Sequence, residues 1–347
     1  MGSRLSALLL IAVFVVSCQI PVTSAGGPVI GMSVNLNGAD DAEMNRQFDL
    51  MSAMKVSMVR FDFDWSGIEQ IRGRYDWSFT DRMVRVANAH KIKVLALLTY
   101  SPEWTRPKGT TSHTPPGDAA DFAAFSRAAA QRYYPQGVDD WEIWNEPNID
   151  DFWQPKPDVD RYGVLFRAAA AALREVDPHA TVLTGGLTRG TTTASRGRIA
   201  QTEFINGLYA NGTAQLASAI AIHPYSFPAL PSVDGRNAVG RFADLPAVHA
   251  LMDHWGDGGK KIWATEFGAA TGADEDAMSE HDQAKSLVQA EQMAASWDWM
   301  GPLIIYELRD SGNDPSDLEQ NFGVLRADLT PKEVGRYLLG GDRPMRP

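Results

Sequence analysis

The chain has 347 residues, 44% hydrophobic and 10% aromatic, which is enough to bury a large core in one α/β barrel or in two ordinary domains. Its formal net charge is −11 at pH 7, and its lysines and arginines form no basic stripe. These features argue against a nucleic-acid partner, because affinity for phosphates is built from clustered Lys and Arg.

An export signal is predicted at residues 1–26. Arg4 supplies a short positive segment, an apolar run follows, and small polar residues come next. Two cleavage sites fit: residues 23–25 are small and suit an ordinary signal peptidase, whereas residues 15–18 resemble a bacterial lipobox that would place a lipid anchor on Cys18. We therefore expect a protein of the extracellular space or the cell envelope, either secreted or anchored on the outer face of the membrane. Because Cys18 is the only cysteine, the mature segment has no disulfide and depends on packing for its stability.

Short apolar runs rich in β-forming residues recur along the rest of the chain, with helix-like segments between them. The eight predicted strands are residues 29–34, 56–63, 93–100, 140–144, 180–187, 219–223, 261–267 and 302–308. The clearest predicted helices, with apolar residues at three- and four-residue spacing, are residues 122–134, 162–176 and 283–299. Eight strands alternating with helices predict a parallel sheet, and about 320 mature residues fit a closed (β/α)8 TIM barrel with loop insertions. We expect residues 27–347 to form a single catalytic domain and the protein to be a monomer.

Polar and aromatic residues follow the predicted strands. In barrels of this kind the chemistry is carried by loops at the C-terminal ends of the strands, so these residues are candidates for a functional site. They are Arg60, Asp62, Asp64, Trp65, Tyr100, Glu103, Trp104, Asn145, Glu146, His223, Tyr225, Glu266, Tyr306, Glu307 and Arg309.

The fourth predicted strand carries Glu142, Trp144 and Glu146 at alternating positions, a spacing that sends all three side chains to one side of a strand. Glu142 lies lower in the strand, where an inward acid needs a partner such as Arg60 to offset its desolvation. We therefore interpret Glu142 as a residue of the barrel wall. Pro147 fixes the exit of the strand and helps to direct Glu146.

Two of the candidate residues form a pair with a recognisable chemistry. Cleavage of a glycosidic bond with retention needs one carboxyl group to protonate the leaving oxygen and a second, about 5 Å away, to attack the anomeric carbon. Glu146, after the fourth predicted strand, and Glu266, at the end of the seventh, would converge across the mouth of a barrel.

The segment WEIWNEPN, which contains Glu146, resembles the acid/base motif of clan A glycoside hydrolases, in which Asn-Glu-Pro ends the fourth strand and a nucleophilic Glu ends the seventh. The similarity continues through VRFDFDW, LTYSPEWT, IAIHPYS, IWATEFGA and FGVLRADLTPKEVGRYL. It is closest to glycoside hydrolase family 39 and its exopolysaccharide-hydrolase-like members, with family 5 as a near alternative. The resemblance implies a retaining double displacement, usually on β-linked sugars, without a metal or other cofactor.

Carried over by position, the resemblance implies that Glu146 is the general acid/base and Glu266 the nucleophile. For these roles Glu146 must hold a proton while Glu266 is ionised. Asn145 would bind the sugar hydroxyl next to the anomeric carbon, a contact that strengthens in the transition state.

The resemblance also suggests the surroundings of the two glutamates. Arg60 is the cation expected near Glu266, Tyr225 is similar to the phenol that donates to the nucleophile in the clan, and His223 would line the same subsite. Trp65 and Trp104 are candidates for stacking on sugar rings.

One position departs from the clan's pattern. Many members carry a Trp at the end of the eighth strand, where this sequence has Tyr306. This difference puts the identity of the sugar in doubt more than the reaction.

Three acids near the expected barrel mouth could bind hydroxyls or a cationic sugar, but we interpret them as solvated loop charges: Glu103, Glu307 and Asp310.

Other kinds of active site find little support. Histidines such as His249 and His254 lack a zinc spacing, and the sequence contains no GxSxG motif or phosphate-binding loop. The expected function is that of an exported retaining glycoside hydrolase acting on a polysaccharide or oligosaccharide outside the cytoplasm, by endo or exo cleavage. The alternative is a catalytically inactive carbohydrate-binding surface protein on the same barrel.

Overall fold

The computed structural model describes residues 28–193, 195, 197–233 and 240–342. The predicted export signal and the Cys18 anchor lie outside these residues. The strands of the described part are β1 (Ile30–Ser33), β2 (Met58–Asp64), β3 (Lys93–Thr99), β4 (Asp140–Ile143), β5 (Thr181–Thr184), β6 (Leu187–Thr188), β7 (Ala219–His223), β8 (Lys261–Phe267) and β9 (Met300–Ile305). The α-helices are α1 (Asp41–Ala53), α2 (Trp65–Ile68), α3 (Ser78–Ala89), α4 (Ala119–Tyr133), α5 (Val159–Val176), α6 (Gln201–Ala210), α7 (Leu245–His254), α8 (Glu280–Ala295) and α9 (Glu333–Leu338).

Eight of the strands close into a parallel barrel. The strand order is β5-β4-β3-β2-β1-β9-β8-β7, and Leu183 of β5 pairs with Ala219 of β7 to complete the circle. The short β6 adds to β7 beside the barrel mouth. The predicted (β/α)8 TIM barrel is thus confirmed, with helices in the connections between successive strands.

The predicted fifth strand, residues 180–187, is in fact two strands. Gly185 and Gly186 interrupt it, and both positions lack room for a side chain: a Cβ on Gly185 would lie 2.5 Å from the carbonyl oxygen of Trp144. The interruption separates β5, which belongs to the barrel wall, from β6, which reaches the mouth.

The three predicted helices are present with shifted ends. Asp118, Asp158 and Ser279 cap α4, α5 and α8, each accepting a hydrogen bond from a backbone N–H of the first turn. The predicted helix 283–299 ends earlier, at Ala295, because Trp297 and Trp299 stack on each other with ring centroids 4.8 Å apart and lead directly into β9.

The barrel interior is filled below the mouth by apolar side chains from five strands, which form one buried cluster: Met58, Leu95, Leu183, Ala219, Ala221 and Ile304. Met58 and Arg60 are two positions apart on β2, so both face inward and Arg60 lies one layer above this plug. The functional site is therefore built on a packed floor.

Among the described helices, none is both long and apolar enough to cross a bilayer.

Candidate active site

The end of β4 directs Glu146 into the barrel mouth. After β4, Trp144 and Glu146 take left-handed backbone conformations, with φ of 70° and 41°. Such angles cost about 1–3 kcal/mol for a residue with a side chain and persist only where the surrounding structure imposes them. Trp144 turns outward and packs against Phe122 and Trp153. The prediction that Glu142, Trp144 and Glu146 share one side is therefore wrong for Trp144, because the strand alternation ends before it.

Glu146 and Glu266 face each other across the mouth. One carboxyl oxygen of each lies within 4.8 Å of the other. Both residues line a cleft of about 610 Å³ at the C-terminal ends of the strands, yet only 7% of Glu146 and 9% of Glu266 is exposed. This separation leaves room for an anomeric carbon between the carboxylates and suits direct attack rather than attack by an intervening water.

Arg60 joins three of the candidate side chains. Its Nη1 donates to Glu266 Oε1 at 2.6 Å, its Nε to Glu142 Oε2 at 2.7 Å, and its Nη2 to Asn145 Oδ1 at 3.0 Å. The guanidinium is buried, and although burial opposes its charge, the charges of Glu142 and Glu266 raise the pKa of Arg60. The cation is therefore permanent and holds the nucleophile candidate and Asn145 in a fixed relation.

Glu142 is fully buried beneath this arrangement. Besides the bonds from Arg60, its Oε1 accepts hydrogen bonds from the Gly186 N–H at 2.8 Å and from Thr265 Oγ1 at 3.0 Å. A buried carboxylate needs such compensation, since an unpaired charge in the interior costs several kcal/mol. Glu142 thus belongs to the wall that supports the site.

The environment of Glu266 favours its ionised form. Burial by itself would raise the pKa of Glu266, but the charges of His223 and Arg60 and the hydrogen bonds from Tyr225 and Arg60 outweigh it and lower the pKa. The Tyr225 hydroxyl donates to Glu266 Oε2 at 2.7 Å. Since burial and the charge of Glu266 raise the pKa of Tyr225 well above its usual value, this phenol remains a donor.

His223 lies between the two glutamates. Its Nδ1 is 2.9 Å from Glu146 Oε1 and 3.5 Å from Glu266 Oε2. Burial disfavours the charged ring, but the charges of Glu266 and Glu146 and the hydrogen bond with Glu146 raise the pKa of His223. Its Nε2 has no hydrogen-bond partner among the described residues and lies beside Gly186, where a Cβ would approach it to 2.0 Å.

The same three side chains, Glu146, His223 and Glu266, are the one set in the described part of the chain whose spacing could hold a metal ion. The guanidinium of Arg60 already binds Glu266 at 2.6 Å. A second cation at this carboxylate would be repelled by Arg60, so the donor set fits proton transfer better than metal binding.

Two tryptophans expected to stack on a sugar do not reach the cleft. Trp65 is completely buried, because α2 begins at this residue and turns its ring into the core. The ring centroids of Trp65 and Phe125 are 5.5 Å apart, and the Nε1 of Trp65 donates a hydrogen bond to the Glu69 carboxylate. Trp104 packs edge-on against Trp65 and donates to the Glu69 carbonyl oxygen, and it does not line the cleft. Tyr306, the remaining aromatic candidate, does line it and contacts Tyr225.

Several cleft residues do not stand out in the sequence. The interpretation of Glu307 as a solvated loop charge is wrong, since this residue is only 5% exposed and lines the cleft. Of the aromatic residues that line the cleft, only Tyr100, Tyr225 and Tyr306 are sequence candidates; the full set is Phe61, Phe79, Tyr100, Phe152, Tyr225, Phe227, Tyr306 and Phe322. Their position next to strand-end motifs is the available signal, but the path of each loop decides which ring reaches the cleft.

Comparisons with known proteins identify the family of this chain and the structures that share its fold. The sequence matches the family of cellulases, glycosyl hydrolase family 5, over residues 22–302. A search of curated protein sequences found no match. Family 5 is the near alternative in the sequence analysis, which placed the resemblance closest to family 39. Two of the similar solved structures are family 39 enzymes.

The first of these, a family 39 glycoside hydrolase from the gut symbiont Bacteroides cellulosilyticus WH2, has a TM-score of 0.73 and 21% identity; 90% of this chain is covered, and 63% of that one. The second, a family 39 enzyme from Xanthomonas axonopodis pv. citri, has a TM-score of 0.66 and 19% identity. The similarity covers 90% of this chain and 67% of the Xanthomonas chain. An exo-β-1,4-mannosidase from Opitutaceae bacterium strain TAV5 has a TM-score of 0.61 and 16% identity. The similarity covers 91% of this chain and 60% of the mannosidase chain. The chain thus spans less than two thirds of the Bacteroides protein.

At these identities the structural matches show the fold, and the family match shows the relationship. The match extends over most of the chain and includes both Glu146, which follows β4, and Glu266 in β8. The chain therefore belongs to the cellulase family, glycosyl hydrolase family 5.

Proposed function

We propose that this enzyme is exported and hydrolyses β-linkages of an extracellular or cell-envelope polysaccharide or oligosaccharide, with Glu146 as acid/base and Glu266 as nucleophile. The observation that carries the proposal is the approach of their carboxyl oxygens to within 4.8 Å, with donors from Arg60 and Tyr225 on Glu266 alone.

In the first step, a carboxylate oxygen of Glu266 attacks the anomeric carbon as the bond from that carbon to the glycosidic oxygen breaks. Glu146 gives its proton to the departing oxygen, so the leaving sugar is released as an alcohol and a glycosyl ester of Glu266 remains. In the second step, Glu146 removes a proton from water, the resulting hydroxyl attacks the same carbon, and the ester bond breaks. Glu146 is then protonated and Glu266 ionised, as at the start.

Asn145 is oriented for a role in both steps. Its Oδ1 accepts a hydrogen bond from Arg60 at 3.0 Å, which leaves the NH₂ group as its free donor. That group can donate to the hydroxyl next to the anomeric carbon, where hydrogen bonds strengthen as the oxocarbenium-like transition state forms. Arg60 therefore acts on the reaction twice, through Glu266 and through Asn145.

Support for a β-linked substrate comes from a structural neighbour that is an exo-β-1,4-mannosidase. Support for export comes from the composition of residues 1–26. A location outside the cytoplasm would give the enzyme access to a cell-envelope or extracellular polysaccharide.

Two matched variants test the reaction. Glu146→Gln and Glu266→Gln remove one ionisable group each while keeping side-chain volume, and each should lower kcat by about 10²–10⁴-fold or more. For a substrate with an activated leaving group, Glu146→Gln should still form the glycosyl ester, because that step then needs no proton. A mechanism-based fluoroglycoside should label wild-type Glu266, detected by mass spectrometry of peptides.

The control is Glu103→Gln, which removes an exposed carboxylate that does not line the cleft. It should keep wild-type turnover and labelling. Full turnover by Glu146→Gln or Glu266→Gln on a natural glycoside would refute the assignment.

A further inference from the structure

One wall of the cleft carries three carboxylates that the proposed reaction does not use: Asp62 in β2, Glu307 after β9, and Glu319 in the short turn that follows. No hydrogen bond or ion pair to these carboxylates is formed within the described residues. A carboxylate with neither a partner nor open solvent is costly, and among the three this describes Glu307, because Asp62 and Glu319 are exposed.

Glu307 is the most shielded of the three carboxylates. It is only 5% exposed and lines the cleft, so its carboxylate is kept from bulk water and opens only into the substrate space. The positive charge that acts on Glu307 is that of Arg309, whose Nη1 donates to Glu43 Oε1 at 2.7 Å. Asp62 is exposed to the water of the cleft. Glu307 is therefore the residue that most needs a charged partner.

The wall occupies one side of the barrel, because β2 and β9 both flank β1. No lysine lines the cleft in the described part of the chain, and the two arginines that do are placed elsewhere: Arg60 is bound by Glu142 and Glu266, and Arg189 follows β6 and lies over the ring of Phe227. β4 is across the barrel from β9, so Glu146 and Glu307 lie on opposite sides of the cleft. Because Glu146 is the residue proposed to protonate the leaving sugar, the side of the cleft opposite it is the side expected to hold the sugar units that remain attached to Glu266.

A metal ion is a poor partner for this wall. The oxygens of Asp62, Glu307 and Glu319 do not converge to a coordination distance, since the one such set in the described residues is Glu146, His223 and Glu266. Separated carboxylates suit a ligand of sugar size that carries its own positive charge. A neutral sugar would donate hydroxyl hydrogen bonds but would bring no positive charge to offset an ionised Glu307.

We propose that this wall binds the ammonium group of an amino sugar, and that the substrate is a polysaccharide or oligosaccharide with unacetylated amino sugars on the side that stays attached to Glu266. The inference rests on the proposed hydrolase reaction and names its substrate class. On binding, Glu307 would release its proton to solvent and form the ion pair with the ammonium, while Asp62 and Glu319 add attraction at longer range.

The experiment compares oligosaccharides of β-linked glucosamine with oligosaccharides of glucose of the same lengths and linkages, at a pH that keeps the amino groups protonated. The two series differ by an ammonium or a hydroxyl on each ring. The wild-type enzyme should show a kcat/KM at least about tenfold higher on the glucosamine series, as expected for a shielded charge-assisted contact, and N-acetylation should abolish the advantage. Added salt should reduce the advantage, because ionic attraction is screened.

Glu307→Gln should lower kcat/KM about tenfold on the glucosamine series and change it less than about twofold on the glucose series. Glu307→Asp retains the charge and should keep part of the preference. Glu319→Gln, at an exposed position, should lose a smaller part without affecting folding. Glu103→Gln makes the same charge change outside the cleft and should behave as the wild type.

The outcomes separate the two proposals. If Glu266 is labelled by a fluoroglycoside but glucosamine oligosaccharides are cleaved no better than glucose oligosaccharides, or Glu307→Gln leaves their ratio unchanged, the amino-sugar inference is overturned and the hydrolase proposal stands. The second of these results is also the one expected if Glu307 acts as a neutral acid that donates to a hydroxyl. If neither series is cleaved and Glu266 is not labelled, both proposals fall.

Discussion

Arg60 shows how one side chain can organise residues that are far apart in sequence. It bridges Glu142 and Asn145 from the end of β4 and Glu266 from β8, at distances of 2.6–3.0 Å for its main bonds. Removing one partner of a buried ion pair costs about 3–5 kcal/mol, because the remaining charge is left uncompensated. The same contacts that orient the reacting groups therefore also stabilise the barrel.

Glu307 has the opposite energetic character, and this leads to a prediction about pH. Burial and the charges of Asp310, Glu266 and Glu319 raise the pKa of Glu307 to about 8, with only Arg309 acting against them. The folded protein thus keeps a proton on Glu307 that the unfolded chain releases at its ordinary, lower pKa. The free energy of unfolding must then fall as pH rises between these two values.

Glu307→Gln should remove this loss. Thermal unfolding should show the variant more stable than the wild type by a few kcal/mol above about pH 8, and nearly equal to it near about pH 4. An equal Tm for both proteins at alkaline pH would mean that Glu307 ionises in the fold without cost. This result would weaken the case that the carboxylate awaits a cationic partner.

At the scale of the elements, the interruption between β5 and β6 determines the position of His223. Gly186 donates its N–H to Glu142 at 2.8 Å and leaves the space that the His223 ring occupies. A continuous strand with side chains at these positions would push the ring out of the site. The glycine pair is therefore a structural requirement of the active site as well as of the chain path.

Gly186→Ala should test this requirement. The added Cβ would lie 2.0 Å from His223 Nε2, so the ring must move and its contacts with Glu146 and Glu266 must change. We expect kcat to fall by about 10²-fold, the size of effect that a displacement of about 1 Å produces. We also expect the free energy of unfolding to fall by about 1–3 kcal/mol through overpacking.

The matched control is Gly259→Ala, because no atom lies within 4 Å of a Cβ added there. It should retain both kcat and Tm. If Gly186→Ala gave the same kcat as this control, the position of His223 would be irrelevant to the reaction. A change in Tm with no change in kcat would lead to the same conclusion.

At the scale of the whole molecule, residues 1–26 are expected to determine where the enzyme works. A chain that lacks residues 2–26 should remain in the cytoplasm, whereas the full chain should be found outside it, because the apolar run is the predicted export signal. Cell fractionation and immunodetection measure this. Equal retention of both forms would contradict export.

Cys18→Ala then separates the two processing routes. If the lipobox is used, the wild type should fractionate with membranes and the variant should not, since the thioether anchor needs the thiol. If the ordinary signal peptidase acts near residues 23–25, the two proteins should behave alike and the mature N-terminus should follow that segment. N-terminal sequencing identifies the cleavage site directly.

The barrel and the location of the two glutamates follow from local patterns. Strand periodicity, helix periodicity and their alternation define a (β/α)8 barrel, and that architecture places strand-end residues such as Glu146 and Glu266 at one mouth. These features depend on residues near one another in the chain, which is why the amino-acid sequence alone predicts them.

The composition of the cleft is decided by tertiary contacts. Trp65 has the sequence position of a sugar platform but is buried, because α2 starts at once and turns it into the core. Glu307 has the sequence character of a solvated loop charge but is enclosed at the cleft wall. Burial depends on which distant segments pack over a residue, and no periodicity in the surrounding sequence records this. The chemistry of the reaction could therefore be predicted from the chain, while the walls that select its sugar required the folded structure.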